Sequence, residues 1–496
     1  MKVQANNQSF KTVADPCPAY ESMIPTWKRC NSVCTGEGAV KDHDLILDLL
    51  NFSNLLIPFS ASMSQQQYNF YRAEAELPAV TSQFLKVLIG GLLRKTPKLI
   101  LPEGTPHEVT EWLNLRIGSN NSSLTSFLKD VLDEELQTSR AWICVDHPAT
   151  SGKGVFPFPV LWRAQDVINW AVDDAGNLSR VIVRGFQEEF TEASPYHPVL
   201  IEVAYVHQLN LSGGYEILKY KHGAPSSQTV AEGRPVQRTD SRAPSFELVE
   251  TINPLSNEKP LTYIPAWPVN GSLDIVQPFL LTFVNKEVSL YNKLSRRNHL
   301  LYSAAAYTPW VATTMSKEAF EEMVSAGLGY WMRLEQGDTT GIIESPTGAL
   351  QDMERAIAAT VEDLAKLGVR MLAPENIQSG VALELRDAAQ TSQLGLLNTQ
   401  ICVTFKEIVK CMLMWKYNKE YEVVLELSVD FDPTPIGADW LRLATEWYQL
   451  GLIPRSVWIG LLRKNDLLPD TYDDKLAIEE INSSELISKQ HSTQGY

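Results

Sequence analysis

The sequence is poor in cysteine and in long apolar runs, and each shortage excludes a class of protein. Six cysteines in 496 residues form no regular framework, so we expect no disulfides and a reducing compartment. No apolar stretch reaches the roughly 18 residues that a membrane-spanning helix needs. The polar segment from Met1 to Pro18 has no apolar core and predicts no secretory signal. We therefore expect neither secretion nor contact with a membrane.

Basic charge is also scarce. The chain has 43 Lys and Arg against 59 Asp and Glu, a net charge of −16. A protein whose whole surface grips nucleic acid carries the opposite balance, because it neutralises phosphates. Only local or loose contact with nucleic acid is compatible with this charge. The hydrophobic content of 44% is ordinary for a globular chain, and the length predicts roughly two to four packed units.

The familiar catalytic motifs are missing from the sequence. There is no nucleophile elbow and no dinucleotide-binding glycine motif, and Ser151-Gly152-Lys153-Gly154 lacks the upstream glycine of a phosphate-binding loop. Eight histidines are scattered without metal-binding spacing. We therefore predict no enzymatic activity and no cofactor.

Two weak metal candidates remain. Thiolates and an imidazole suit zinc, but the spacing of the possible ligands fits no usual zinc finger, so free or buried thiols are favoured. Those possible ligands are Cys17, Cys30, Cys34 and His43. Asp430 and Asp432 share one face of a predicted strand and could bind magnesium, but no third carboxylate accompanies them. A solvated strand end is the favoured interpretation of that pair, and we predict no bound metal.

Hydrophobic periodicity divides the chain into a helical part and a β-rich part. Apolar residues recur at intervals of three and four up to about residue 140, which predicts helices over 42–56, 68–94, 106–115 and 124–136. From 141 to 268 the period is two, and turn residues at 173–177 and 212–214 predict a sheet that is at least partly antiparallel. The predicted fold class is α+β.

Long helices follow the sheet. Residues 278–304 contain no interior helix breaker, which predicts a helix of roughly 40 Å. Further helices are predicted over 350–367 and 383–417, with a small α/β segment between the first two. A strand over 423–431 and two helices over 439–464 complete the predicted elements.

A basic stripe runs along the first long helix. Lys286, Lys293 and Arg297 are spaced at i, i+7 and i+11 on one face, and Arg296 flanks them. A solvated face is the ordinary explanation. The alternative is a surface presented to phosphates, which gains weight only if the helix is repeated around an axis. In the small α/β segment, Trp310, Tyr330 and Trp331 are core candidates, although such a segment can expose an aromatic side chain to a partner.

Six short motifs occur in a characteristic order between about residues 68 and 481. They are Tyr68-Asn69-Phe70-Tyr71-Arg72-Ala73, Arg94-Lys95-Thr96-Pro97, Ser139-Arg140-Ala141-Trp142 running on to Val145-Asp146-His147-Pro148, Ile264-Pro265-Ala266-Trp267, Ser379-Gly380-Val381-Ala382-Leu383, and Gly451-Leu452-Ile453-Pro454 with Leu461 to Asp470. Each is weak alone, but together they resemble the portal proteins of tailed bacteriophages, the head-to-tail connectors, in a branch filed as a domain of unknown function. Ser139 stands where that family usually has glycine, and residues 1–40 match nothing in it.

The resemblance implies a portal fold that assembles as a ring, commonly of twelve copies, at one vertex of the capsid. It assigns parts of the chain as follows: a possibly flexible N-terminal arm at 1–40, a wing at 41–277, a first stem helix at 278–304, a clip at 305–349, a second stem helix at 350–367, a tunnel loop at 368–382, a long wing helix and strand at 383–435, a crown at 436–482 and a flexible tail at 483–496. This architecture explains why long helices flank one small insert.

The resemblance also implies a function without catalysis. The ring would be the channel for packaging and ejecting double-stranded DNA, and would dock the large terminase subunit and then the head–tail adaptor. It would sit in the virion among the major capsid and scaffolding proteins, after assembly in the bacterial cytoplasm. The implied sites are Lys286, Lys293, Arg296 and Arg297 for the channel, Arg370, Glu375, Asn376 and Gln378 for the tunnel loop, and Trp310, Tyr330, Trp331 and Arg333 for docking at the clip.

Two other functions stay open. Another connector or adaptor ring is one, although such proteins are usually shorter and lack two long helices around an insert. A metal-dependent nuclease is the other, and it would require the Asp430 and Asp432 pair to gain a third ligand.

Overall fold

The computed structural model describes most of the chain. The described residues are 12–41, 55–102, 105–118, 120–147, 156–191, 194–222, 246–256, 259–305, 308–312, 316–318, 337, 339–343, 348–367, 380–419, 421–427, 438–449, 454–455, 458–459, 462 and 468. The chain divides into two compact units, Met1–Leu427 and Ser428–Tyr496. Among the described residues, no helix combines the length and the apolar content needed to cross a lipid bilayer.

The first helix, α1 (Pro18–Thr35), begins inside the segment predicted to be a flexible arm. Pro18 occupies its first turn, where a missing N–H costs nothing. One face of the helix is buried, and Trp27 is fully buried with its indole N–H donated to the carbonyl oxygen of Thr138, 3.1 Å away. Within the arm that was expected to be possibly flexible, Pro18–Thr35 is thus a helix that supplies part of the core.

In the described part of the chain, four more helices precede the main sheet. They are α2 (Gln65–Glu74), α3 (Val80–Leu92), α4 (His107–Leu115) and α5 (Leu124–Thr138). The single helix predicted over 68–94 is two helices, because Pro78 interrupts the backbone and Ala79 takes a left-handed conformation (φ 57°) before α3 begins. The helix predicted over 42–56 falls mostly outside the described residues.

Two antiparallel sheets follow α5. The smaller has the order β11 (Ala266–Pro268), β2 (Trp142–Asp146) and β3 (Phe158–Trp162). The larger has five strands in sequence order: β4 (Val167–Val172), β5 (Leu178–Thr191), β6 (Ser194–Leu209), β7 (Tyr215–His222) and β8 (Phe246–Ile252). The antiparallel sheet predicted from the period of two is thus present, and the fold is a mixture of helix and sheet.

The remaining strands among the described residues of this unit form three short pairs. β1 (Lys98–Ile100) pairs with β14 (Val424–Glu426), β9 (Leu255–Ser256) pairs with β10 (Lys259–Pro260), and β12 (Thr308–Ala312) pairs with β13 (Thr339–Ile343). All three pairs are antiparallel. The first of them brings the chain that follows the last long helix back to the helical region.

The core connects the helices to both sheets. Tyr20 of α1 packs on Ile168, Ile182 and Val206 of the larger sheet, and its hydroxyl donates to the carbonyl oxygen of Gln165. Other large side chains that are almost wholly buried include Tyr71, Trp142, Tyr215, Tyr291 and Phe405.

Three long helices complete the first unit. They are α6 (Leu281–Ala305), α7 (Gly348–Lys366) and α8 (Gly380–Tyr417), which has 38 residues. These positions agree with the helices expected from residues 278, 350 and 383 onward. The described part of the second unit contains α9 (Ala438–Gln449), where the ring of Tyr448 stacks on that of Trp458.

Candidate functional site

Helix α6 is fixed to the helical layer by a buried carboxylate. Glu287 is fully buried, and its two oxygens accept hydrogen bonds from the backbone N–H groups of Val80 (2.8 Å) and Thr81 (2.7 Å). These are the first two residues of α3, whose N-cap, Ala79, has no side chain that could accept them. A carboxylate at a helix N-terminus also interacts favourably with the helix dipole. Glu287 therefore caps one helix from another.

A second polar residue of α6, five positions after Glu287, also bonds to the elements that precede the sheet. The amide of Asn292 accepts from the N–H of Ile57 (2.8 Å) and donates to the carbonyl oxygen of Leu55 (2.7 Å). Nearby, the rings of Phe84 and Phe283 stack with centroids 4.4 Å apart. One face of α6 is therefore rigidly attached to the elements before the sheet.

The opposite face of α6 contacts α7. Lys286 donates to Asp363 (2.7 Å), Lys293 donates to the Thr360 hydroxyl, and Arg297 lies 3.5 Å from Glu354. Residue numbers rise along α6 as they fall along α7, so the two helices are antiparallel. We call this set of six side chains the α6–α7 seam.

The two ion pairs of the seam are reached by solvent, whereas Thr360 between them is buried. The side chains of Lys286 and Asp363 are 41% and 47% exposed. The ammonium of Lys286, which donates a hydrogen bond to Asp363 Oδ2, holds the pKa of that carboxyl below its ordinary value. Exposed ion pairs of this kind contribute little to stability, because water and salt screen them. The seam therefore orients two helices without being what holds the fold together.

Arg296, the fourth predicted channel residue, points elsewhere. It lies beside Tyr71 of α2, and its charge opposes the larger effect of burial, which raises the pKa of that tyrosine. The four predicted residues are thus divided between two neighbours. Lys286, Lys293 and Arg297 share the seam with partners of the same chain, so they are not the free basic face that the sequence suggested. Their role in a channel remains a prediction.

Most of the other predicted site residues lie outside the described part of the chain. Trp310 belongs to β12, where its backbone is opposite Gly341 of β13. The residues outside the description are Tyr330, Trp331 and Arg333 of the clip, Arg370, Glu375, Asn376 and Gln378 of the tunnel loop, Asp430 and Asp432 of the possible magnesium pair, and His43 of the possible zinc set.

The described cysteines do not resemble a metal centre. Cys30 and Cys34 are buried in α1, and burial raises the pKa of Cys30 to about 12 and that of Cys34 further. A raised pKa opposes the thiolate form that binds zinc. Within the described residues, no three side chains of the metal-binding types are grouped so that they could hold an ion.

Sequence reasoning missed a buried polar cluster around Arg140. Its guanidinium donates to the carbonyl oxygens of Ser272 (2.8 Å) and Leu273 (3.0 Å), in the segment that leads into α6. The same group lies 4.7 Å from the ring of Trp142 and 4.5 Å from that of Trp170. Burial lowers the pKa of Arg140 to about 10. Its place in a motif used for the resemblance was the only available signal, and its contacts are structural.

Glu135 belongs to the same cluster. It is fully buried and accepts a hydrogen bond from the N–H of Ala141 (2.9 Å), and burial raises its pKa to about 8. A cavity of about 230 Å³ lies next to it, between the end of α5, residues 270–279 and α8. Its lining is mixed, with Ser139 and Asn270 opposite Leu396 and Leu397. Ser139 and Asn270 already bond within the chain, and Ser272 and Gln400 complete the polar lining.

Comparisons with known proteins add a distant structural likeness. No family model matches the chain, and no curated protein matches it. Among solved structures, a chain from the neck of an empty gene transfer agent particle, computed with C6 symmetry, has a TM-score of 0.37 at 13% identity, over 79% of this chain and 89% of that one. A chain from the virion of the native particle has a TM-score of 0.34 at 13% identity, over 77% and 89%. TM-scores and identities this low do not establish a shared fold.

Proposed function

We propose that this protein is a phage portal protein, which forms a ring at one capsid vertex through which double-stranded DNA enters and leaves the head. The observation that carries the proposal is the antiparallel α6–α7 hairpin, which brackets the β12–β13 pair. Two long helices that extend from a mixed domain and enclose a small insert are the arrangement that a stem and clip require. The order of sequence motifs supports the same assignment independently.

The buried contacts of α6 suit a helix that lines a channel. The hydrogen bonds of Glu287 and Asn292 attach the helix to other elements of its own subunit, and they would resist forces along its length. The seam then turns charged side chains of both signs toward the solvent-exposed side of the hairpin. In a ring, each of these side chains would be repeated at the same height around the axis.

The acidic composition agrees with a channel through which DNA moves. Twelve copies would carry a charge of about −190. A duplex of like charge is not held tightly by such a ring, because few of its phosphates meet a basic side chain. Basic side chains limited to the seam would centre the duplex or retain it briefly. No catalytic step is required of this chain.

Electron microscopy of the purified protein in negative stain tests the proposal. We expect rings with a central hole, of about twelve subunits. A chain that stays monomeric over a wide range of concentration would contradict the proposal.

Another connector ring would also give a ring image, so a second measurement is needed. Heads assembled without tail genes should already contain this protein if it is the portal, because packaging needs it. Purified rings should also bind the large terminase subunit. A protein that joins the particle only after DNA is packaged would be an adaptor instead.

A further inference from the structure

The hairpin of β5 and β6 extends beyond the strands that support it. The last residues of β5 with a partner on the β4 side are Val183, opposite Val167, and Arg184, whose N–H donates to Asp166. On the other side, β7 pairs with β6 only from Val203 onward. We call the remaining part, residues 185–191 and 194–202, the distal ribbon. Among the described residues, no third strand pairs with it.

Such a ribbon needs a partner. A two-stranded antiparallel ribbon is marginally stable on its own in water, and its outer edges carry backbone groups that can pair with another chain, except for the missing N–H groups of Pro195 and Pro198. Seven residues of strand project roughly 23 Å. The distal ribbon therefore reaches well past the part of the sheet that covers the core.

The distal ribbon exposes large apolar side chains. The most exposed are Phe186 (69%), Phe190 (64%), Tyr196 (86%) and Leu200 (62%). A buried aromatic side chain typically hides 150–250 Å², so these residues with Val199 expose on the order of 500 Å² of apolar surface over the two faces of the ribbon, because Val199 is opposite Glu189 and lies on the other face from Phe186. Phe186 and Leu200 share one face, and an exposed apolar patch of a few hundred Å² on a monomer is often functional. A stable interface needs roughly 800 Å² from each partner, a size that a ribbon with both edges can supply.

Part of this surface continues the core face of the sheet. Side chains alternate along a strand, so Phe186 lies on the same face as Ile182, which is covered by Tyr20 of α1. Leu200 is on that face too, because its partner in the register is Glu188. The apolar face therefore extends past the point where the described chain covers it.

The charges of the distal ribbon indicate what kind of partner fits. Glu202 pairs with Arg184, and Glu189 pairs with Lys221, so two of the three carboxylates in the described ribbon are neutralised inside the chain; the third is Glu188, opposite Leu200. An apolar surface with paired charges suits another protein surface. It offers phosphates little, because those require unpaired basic groups.

We propose that the distal ribbon docks on a second copy of this chain, and that it forms part of the contact between neighbouring subunits. This inference rests on the proposed ring, in which each copy must present one patch to the next copy. The chain's own residues 223–245, between β7 and β8, are a poorer match for the patch. Val230 and Val236 are the only large apolar side chains in that segment, which is otherwise rich in Ser, Arg, Pro and Gly.

The test is a double charge insertion, Phe186→Glu with Phe190→Glu, measured by light scattering and negative-stain microscopy. We expect the wild type to form rings and the double variant to lose them. The matched control is Leu211→Glu, since Leu211 is fully exposed in the turn after β6, away from the distal ribbon. Control rings should form as in the wild type, and circular dichroism should show all three proteins folded.

Each outcome is decisive for one proposal or the other. Rings in the double variant, as abundant as in the wild type, would overturn the docking proposal alone. A wild-type chain that never forms rings would contradict the proposed function as well.

A second measurement covers the case in which the double variant does not fold. Benzoylphenylalanine placed at Tyr196 of the otherwise wild-type chain should photo-cross-link neighbouring copies in the ring, and the same probe at Leu211 should not. Intact rings with no cross-linked dimer from position 196 would overturn the docking proposal. Cross-links in heads that reach only the capsid protein would overturn it too.

Discussion

Charged residues next to the long helix α6 are of two kinds, and they differ in what they bind. The buried kind, Glu287 of α6 and the Arg140–Glu135 cluster before it, makes hydrogen bonds to backbone groups of other elements. The exposed kind, in the α6–α7 seam, pairs with side chains that water can reach. The first kind supplies hydrogen-bond partners to backbone groups in the interior, whereas the second is available for function.

The physical reason for this difference is solvation. A buried N–H or C=O left without a partner loses its hydration without compensation, so removing its partner is costly. An exposed pair that is broken regains hydration on both sides. Substitutions in the two sets should therefore differ sharply in their effect on stability.

The largest effect is expected for Glu287→Ala. The substitution leaves the N–H groups of Val80 and Thr81 without their acceptor, and we expect a loss of about 2–4 kcal/mol in the free energy of unfolding. Thermal and urea denaturation at equal protein concentration measure it. Glu287→Gln keeps one acceptor and should cost less. The neighbouring Lys286→Ala is the control, and a cost as large as that of Glu287→Ala would break the distinction between the two sets.

The next effect concerns pH. Burial raises the pKa of Glu135 to about 8, above the ordinary value of 4.5, so the folded protein binds a proton that the unfolded chain has lost. Stability should therefore decrease as pH rises from about 4.5 to about 8, by an amount on the order of a few kcal/mol. Melting temperatures across this range measure it.

The control for that prediction is Glu135→Gln, which keeps an oxygen for the N–H of Ala141 and cannot ionise. We expect the stability of this variant not to decrease over that pH range, so that its melting temperature exceeds that of the wild type most at high pH. Parallel pH curves for the two proteins would show that Glu135 does not titrate as its burial indicates.

The third effect also depends on pH, with the opposite sign, and is expected from His207. This residue is fully buried, its Nδ1 is 2.7 Å from the Tyr215 hydroxyl, and burial lowers its pKa to about 3. The unfolded chain takes up a proton below about 6.5, so stability should be lost as pH falls from there toward 3. His207→Gln, which cannot gain that charge, should flatten the acid side of the curve. If the stability of the variant falls in acid as steeply as that of the wild type, the lowered pKa of His207 is contradicted.

The smallest effect on stability is expected in the seam. Arg297→Glu places a carboxylate against Glu354 and should cost only about 0.5–1 kcal/mol, because Glu354 is largely exposed and Arg297 is partly exposed, so water screens the pair. The swapped pair, Arg297→Glu with Glu354→Arg, should recover the lost stability. Denaturation of the single and double variants measures this recovery.

The swapped pair and one further double variant sharpen the functional side of the comparison. If charge at this height of α6 retains DNA in filled heads, Lys293→Glu with Arg297→Glu should lower retention while rings still assemble. The swapped pair keeps the local net charge and should retain DNA nearly as the wild type does. Equal retention in all variants would count against a channel role for these residues.

Much of the fold could be predicted from periodicity. The long helices and the antiparallel sheet agree with patterns of apolar residues, because such patterns report which face of an element is buried. The break between α2 and α3 was missed, although Pro78 marks it, because apolar residues continue on both sides. Helix α1 was missed because its apolar face is interrupted by charged and polar residues and contains Pro25.

The candidate site was predicted only in part. The spacing of Lys286, Lys293 and Arg297 correctly placed them on one face of a helix, but spacing within one element does not identify the partner. Asp363, Thr360 and Glu354 lie about sixty to eighty residues away in sequence, and only the antiparallel packing brings them to that face. Arg296 shows the same limit, since its contact with Tyr71 crosses from α6 to α2.

The sequence by itself determined the α+β class, the positions of the three long helices and the absence of familiar catalytic motifs, because these depend on local pattern and composition. Tertiary structure alone decided that Glu287 caps α3, that Arg140 holds the segment before α6, and that the basic stripe has acidic partners in its own chain. It also revealed that the β5–β6 hairpin extends beyond its supporting strands. Such features arise from contacts between residues far apart in sequence, where burial determines which polar groups must find a partner.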